Sequence, residues 1–203
     1  QMVGYVEYTY LQNMPLERKI EIYRQYLSYE VPCTIFCSLA SPDPEFLELA
    51  RRMPEARFLW FGWTDPHLIP QEIRQAMEQA PENVTFAGFV DRETLREAYC
   101  GADVFAFMSH EETEGIVVLE ALACGTPVIT FATGGSPEAI DASCGKVVPK
   151  GDVDALLVAI LDMEESPVLK ESCILKSRQY DKEERFREYI KLYEDILEAD
   201  KQG

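Results

Sequence analysis

The stretch ADVFAFMSHEETEGIVVLEALACGTPVITFA, residues 102–132, decides the fold. ADVFAFMS (102–109) reads as an apolar strand, Gly115 to Cys124 as a helix ended by Gly125, and PVITFA (127–132) as another apolar strand. The same alternation runs outward in both directions. CTIFCSL (33–39), ARFLWFGW (56–63), NVTFAGFV (83–90) and GKVVP (145–149) read as further strands. Between them lie helical patterns. Pro44 opens EFLELARRM, IPQEIRQAMEQA follows at 69–80, Asp91 caps RETLREAYCGA, SPEAI makes a short turn, and DVDALLVAILDME runs over 152–164. The strands are near-continuous apolar runs, the mark of a parallel sheet covered on both faces. The fold class is therefore α/β, a Rossmann-like doubly wound parallel sheet with C-terminal helices, and ligand is expected at the carboxyl ends of its strands. The expected division is an N-terminal segment with a helical stripe at 16–27 (residues 1–30), the Rossmann-like domain (31–165) and a C-terminal helical extension (166–203).

Composition bounds the function classes. The chain has 203 residues, 47% of them hydrophobic, enough to bury a core and too many for a disordered chain. Lys and Arg number 19 against 36 Asp and Glu, a net charge of −17, which argues against nucleic acid and anionic lipid as partners. No apolar run reaches membrane-span length and QMVGYVEYTY lacks a signal-peptide layout, so a cytoplasmic domain without a transmembrane segment is expected. The six cysteines form no C-x-x-C pair and read as reduced, mostly buried thiols.

The chemistry concentrates in SHEETEGIVVLEALACGTPVI (109–129). Gly115 opens a helix whose first amides, on Gly115, Ile116 and Val117, lack helical partners, so they offer an anion site at the positive end of the dipole. Glu120 lies a turn and a half further, in position to accept hydrogen bonds from hydroxyls docked over that end. Each piece also has a plainer explanation. Glu111 complements the dipole and Gly115 makes a tight turn. Glu120, though, lies among Val118, Leu119, Ala121 and Leu122, where an acid needs a partner. His110 reads as a rim residue and His67 as a turn residue. Trp60, Phe61, Phe86 and Phe89 read as mostly core, and Trp63 as core or a base-stacking ring. The Phe186, Tyr189, Ile190, Tyr193 and Leu197 stripe should pack on protein.

Glu112 and Glu120 form a Glu-x7-Glu spacing inside S-x-x-E-x-x-G-I-V-x-x-E-A-x-A-x-G-x-P-V. This segment resembles the signature of glycosyltransferase family 4, retaining enzymes of the GT-B fold, and above all the glycolipid-making branch that includes diacylglycerol glucosyltransferases. The likeness covers 33–165 well, 166–199 loosely and 1–32 poorly. It implies that the chain is one half of a GT-B fold, the half that binds a nucleotide sugar, with a UDP-hexose expected by analogy. Glu112 would bond hydroxyls of the donor hexose, with Gly134 and Gly135 letting their loop approach it. Glu120 would hold the ribose, the amides of Gly115, Ile116 and Val117 the diphosphate, and Gly88, Phe89 and Val90 the base. No cofactor and no metal are implied. The implied reaction is retaining transfer of a hexose to a hydroxyl acceptor. A missing N-terminal GT-B domain, in cis or trans, would supply the acceptor site and any attachment at the membrane, and the chain alone would be inactive.

One departure bears on activity. Where the family carries an Arg and a Lys-Gly after its first strand, this chain has Ala40, Ser41, Pro42 and Asp43. Cations there stabilise a leaving diphosphate, and their loss costs transition-state stabilisation. Arg51 and Arg52 are read as too far along the next helix to replace them. The alternative reading is thus a degenerate, non-catalytic domain used as an interaction or regulatory subunit. A dinucleotide-dependent enzyme is a poor third, because no G-x-G-x-x-G follows any strand.

Overall fold

The computed structural model describes residues 34–38, 44–62, 65 and 67–202. The helical stripe at 16–27, Cys33, the Ala40–Asp43 loop and Trp63 lie outside them. The described chain alternates β1 (Thr34–Ser38), α1 (Pro44–Arg52), β2 (Arg57–Phe61), α2 (Gln71–Glu78), β3 (Val84–Gly88), α3 (Arg92–Gly101) and β4 (Val104–Phe107). It continues with α4 (Ile116–Ala123), β5 (Val128–Phe131), a 3₁₀ turn (Ser136–Ala139) and β6 (Gly145–Val148). The helices α5 (Val153–Glu165), α6 (Lys170–Arg178) and α7 (Lys182–Gln202) close it.

The strands form one six-stranded sheet in the order β3-β2-β1-β4-β5-β6, every pairing parallel. The order reverses between β1 and β4, so the crevice over their carboxyl ends is the topological switch point. β4 shows why the strands read as apolar runs. Val104 and Ala106 enter the core under α1 and α5, while Phe105 and Phe107 enter the core under α3, α4 and α6. Side chains alternate faces along a strand, and both faces are covered. β2 repeats this with Phe58 and Trp60 on one side, Leu59 and Phe61 on the other.

Local chemistry sets the helix ends. Asp91 accepts from the Thr94 amide at 2.8 Å and starts α3, and Asp152 accepts from the Ala155 amide at 2.9 Å and starts α5. Gly125, at φ +80°, ends α4 as expected. Asn83 Nδ2 donates to the carbonyls of Ala50, Met53 and Ala56 at 2.9–3.0 Å, tying the α1–β2 turn to β3. The helix α6 packs on α4 with Cys173 and Ile174 buried, and its Lys176 Nζ lies 2.8 Å from Asp141 Oδ2. Cys100, Cys124, Cys144 and Cys173 are buried and unbridged. By contrast, residues 182–199 of α7 are exposed throughout. Among the described residues no helix is long and apolar enough to cross a membrane.

Candidate functional site at the carboxyl end of β4

The loop after β4 is held from several sides. Ser109 Oγ donates to the Glu111 carbonyl at 2.8 Å, and Thr133 Oγ1 donates to the Ser109 carbonyl at 2.8 Å. Gly134, at φ +53°, lies against this loop so closely that a Cβ there would stand 1.7 Å from the Glu112 carbonyl oxygen. A Cβ on Gly135 would stand 2.3 Å from that of Thr113. The close approach these two glycines serve in the structure is therefore to the 112–113 backbone. Glu112 Oε1 accepts from the amides of Thr113 at 2.8 Å and Glu114 at 3.2 Å, so part of this carboxylate steadies its own loop. A carboxylate keeps further acceptor sites beyond these two bonds.

Gly115 takes the left-handed conformation, φ 68° and ψ 42°, and turns the chain into α4. A Cβ there would stand 3.1 Å from Ser136, so the α4 entrance and the 3₁₀ turn are also in contact. The amides of Ile116 and Val117 belong to the first turn, where no carbonyl four residues back can receive them. Glu120 follows on the same helix, half-buried, and burial raises its pKa while Arg92 opposes the shift. Arg92 is the first residue of α3, two positions beyond Val90, so the end of β3 and the middle of α4 meet at this electrostatic pair. Gly88, at φ +69°, turns the chain out of β3, and Phe89 emerges 84% exposed. The reading of Phe89 as core is corrected here. The turn at Gly88 carries its ring out of the sheet's period, and the residue lies on the surface beside Val90.

Sequence reasoning missed a second cluster. Glu45, at the start of α1, has Oε1 3.0 Å from His110 Nε2, and the His110 ring meets Phe131 edge-on at 5.5 Å. Glu45 Oε2 is buried with no hydrogen-bond partner among the described residues. Lys150, just after β6, donates through Nζ to the His110 carbonyl at 3.0 Å. These contacts join residues 40 and 65 positions apart, and no local pattern marks them. Arg52 behaves as the sequence implied. It pairs with Asp154 at 2.6 Å and lines a cavity of about 800 Å³ with Met53, Pro127 and Leu161, at the amino ends of the strands.

Comparison with known proteins gives the family. The profile described as glycosyl transferases group 1 matches residues 44–166, more than half of the chain. A second profile, HPr Serine kinase N terminus, matches residues 1–54. The processive diacylglycerol alpha-glucosyltransferase of Acholeplasma laidlawii is 45% identical over 85 residues, 42% of this chain and 26% of that protein. The alpha-galactosylglucosyldiacylglycerol synthase of Streptococcus pneumoniae is 29% identical over 166 residues, 74% of this chain and 41% of that protein. The chain thus spans well under half the length of these two relatives. Sucrose-phosphate synthase from Thermosynechococcus elongatus superposes with a TM-score of 0.73 at 26% identity, over 89% of this chain and 49% of that one. Anabaena HepE, solved in complex with UDP and glucose, superposes with a TM-score of 0.68 at 20% identity, over 82% of this chain and 48% of that one. The strand order, the glycine-opened helix and the family match agree: the chain belongs to the group 1 glycosyltransferases and is a C-terminal domain of their GT-B fold.

Proposed function

We propose that this domain binds a nucleoside diphosphate hexose over the amino end of α4 and serves as the donor half of a retaining hexosyltransferase. The observation that carries the reading is the left-handed Gly115 at the switch point, with Glu120 a turn and a half beyond it on the same helix. A diphosphate needs donors and the ribose needs acceptors. The first-turn amides of α4 supply the former and the Glu120 carboxylate the latter. Phe89 and Val90 border the base, and Glu112, with the loop of Gly134 and Gly135, borders the hexose. Transfer breaks the bond between the anomeric carbon and the diphosphate oxygen and forms one to the acceptor hydroxyl oxygen, whose proton passes to the departing diphosphate. The leaving group's growing charge falls on the 115–117 amides, so this chain needs no metal for that purpose. A uracil base is the first choice because the fold neighbour HepE was solved with UDP and with UDP-glucose. A glycolipid acceptor is the first choice because two relatives are named for diacylglycerol substrates. An N-terminal half would supply the acceptor site, any attachment to the membrane surface and turnover. Calorimetric titration with UDP-glucose tests the reading. Binding between micromolar and millimolar that Glu120→Ala abolishes is expected, and unchanged binding in that variant would refute the assignment.

A second reading, an interaction subunit without catalysis, draws on α7. Phe186, Tyr189, Tyr193 and Leu197 are 43–65% exposed on this helix. A chain that binds a protein partner through α7 and no sugar nucleotide would fit that reading instead.

A further inference from the structure

We propose that His110 and Lys150 form the wall of hydrogen-bonding side chains that receives the donor diphosphate, with Glu45 as the positioning residue that holds His110 in place. The inference rests on the donor-site reading above and adds residues to it. It starts from a charge problem. Glu111, Glu112 and Glu114 crowd the loop beside the α4 entrance, and LASPD, the link from β1 to α1 (residues 39–43), carries no Lys or Arg. A diphosphate drawn to the 115–117 amides meets these carboxylates unless cations offset them.

The structure brings an imidazole and an ammonium group to this loop by long-range contacts. His110 Nε2 is engaged by Glu45 Oε1 at 3.0 Å, and the Phe131 ring confines the imidazole on another side. The Glu45 side chain is only 15% exposed and its second oxygen has no donor among the described residues. Such a carboxylate is costly to bury alone, which fixes the pair. With Nε2 committed, Nδ1 is the ring nitrogen left for a ligand, and it donates when the ring is protonated. Lys150 spends one of its three Nζ hydrogens on the His110 carbonyl at 3.0 Å and keeps two. The charged groups in contact with His110 among the described residues are Glu45 from α1, at its ring, and Lys150 from the turn after β6, at its carbonyl. Both lie at the carboxyl end of the sheet, the end where α4 begins.

The test compares UDP with uridine by calorimetry on the full chain. Wild type should bind UDP more tightly than uridine. His110→Gln and Lys150→Met should each cut the UDP advantage about tenfold and leave uridine unchanged. Glu45→Gln should reduce the UDP advantage in part and leave uridine binding unchanged, while the melting curve confirms a folded chain. Lys150 is exposed, so its variant tests the wall without disturbing the core. An undiminished UDP advantage in both His110→Gln and Lys150→Met, with Glu120→Ala still blocking both ligands, overturns the wall and leaves the donor site standing. A wild-type chain that binds neither UDP nor uridine at millimolar concentration overturns both.

Discussion

At Glu120 a charge is costly. Burial raises its pKa above the usual glutamate value, with Arg92 offsetting only part of the effect. The folded state then holds its proton more tightly than the unfolded state does, so the ionised carboxylate costs stability at neutral pH. That cost appears as pH rises through the raised pKa and is absent below the usual glutamate range, where both states are protonated. Glu120→Gln should therefore melt higher than wild type at pH 7, with the gain shrinking on acidification, while nucleotide binding falls. A lower melting temperature at pH 7 would show that the carboxylate is satisfied in the free domain. Gly134 and Gly88 form a second residue-scale test. Both have positive φ, but only at Gly134 does a Cβ meet backbone, at 1.7 Å, while at Gly88 nothing lies within 4 Å. Gly88→Ala should cost about 1 kcal/mol from conformation alone. Gly134→Ala should cost about 2–3 kcal/mol, because conformation and collision add, measured by urea unfolding. At this scale the sequence was only partly legible. Glu112, Gly115 and Glu120 stood out because they lie within nine residues on one loop and helix. Glu45, His110, Lys150 and Arg92 did not, because their partners come from other crossovers.

The elements were the legible level. CTIFCSL, ARFLWFGW, NVTFAGFV, ADVFAFMS, PVITFA and GKVVP all contain strands, because a strand buried on both faces has no polar face to confuse its period. The cap at Asp91 and the helical run read from Asp152 both fall within a residue of the observed helix starts. Phe89 misled because apolar character alone does not reveal that Gly88 turns the chain out of the strand. The last two helices differ in kind. Cys173 and Ile174 seat α6 in the core on α4, whereas α7 turns Phe186, Tyr189, Ile190, Tyr193 and Ile196 to solvent. Removal of residues 182–203 should leave the melting temperature of the remainder within about 2 °C, since none of 182–199 is buried. A large drop on truncation would mean that α7 folds back onto this domain.

At the scale of the molecule, sheet topology sets where chemistry can occur. The order β3-β2-β1-β4-β5-β6 opens its crevice between β1 and β4, and the loop after β4 delivers Glu112, Gly115 and the first turn of α4 to that place. The topology was foreseeable, since alternating strands and helices with right-handed crossovers leave few arrangements. Amide chemical-shift mapping by NMR tests the central claim most directly. On titration with UDP, the amides of Gly115, Ile116 and Val117 and of residues 88–90 should shift together, saturating at one affinity, with the amino-end cavity around Met53, Pro127 and Leu161 unmoved. Shifts confined to that cavity, or none among 88–90 and 115–120 at millimolar UDP, would contradict it.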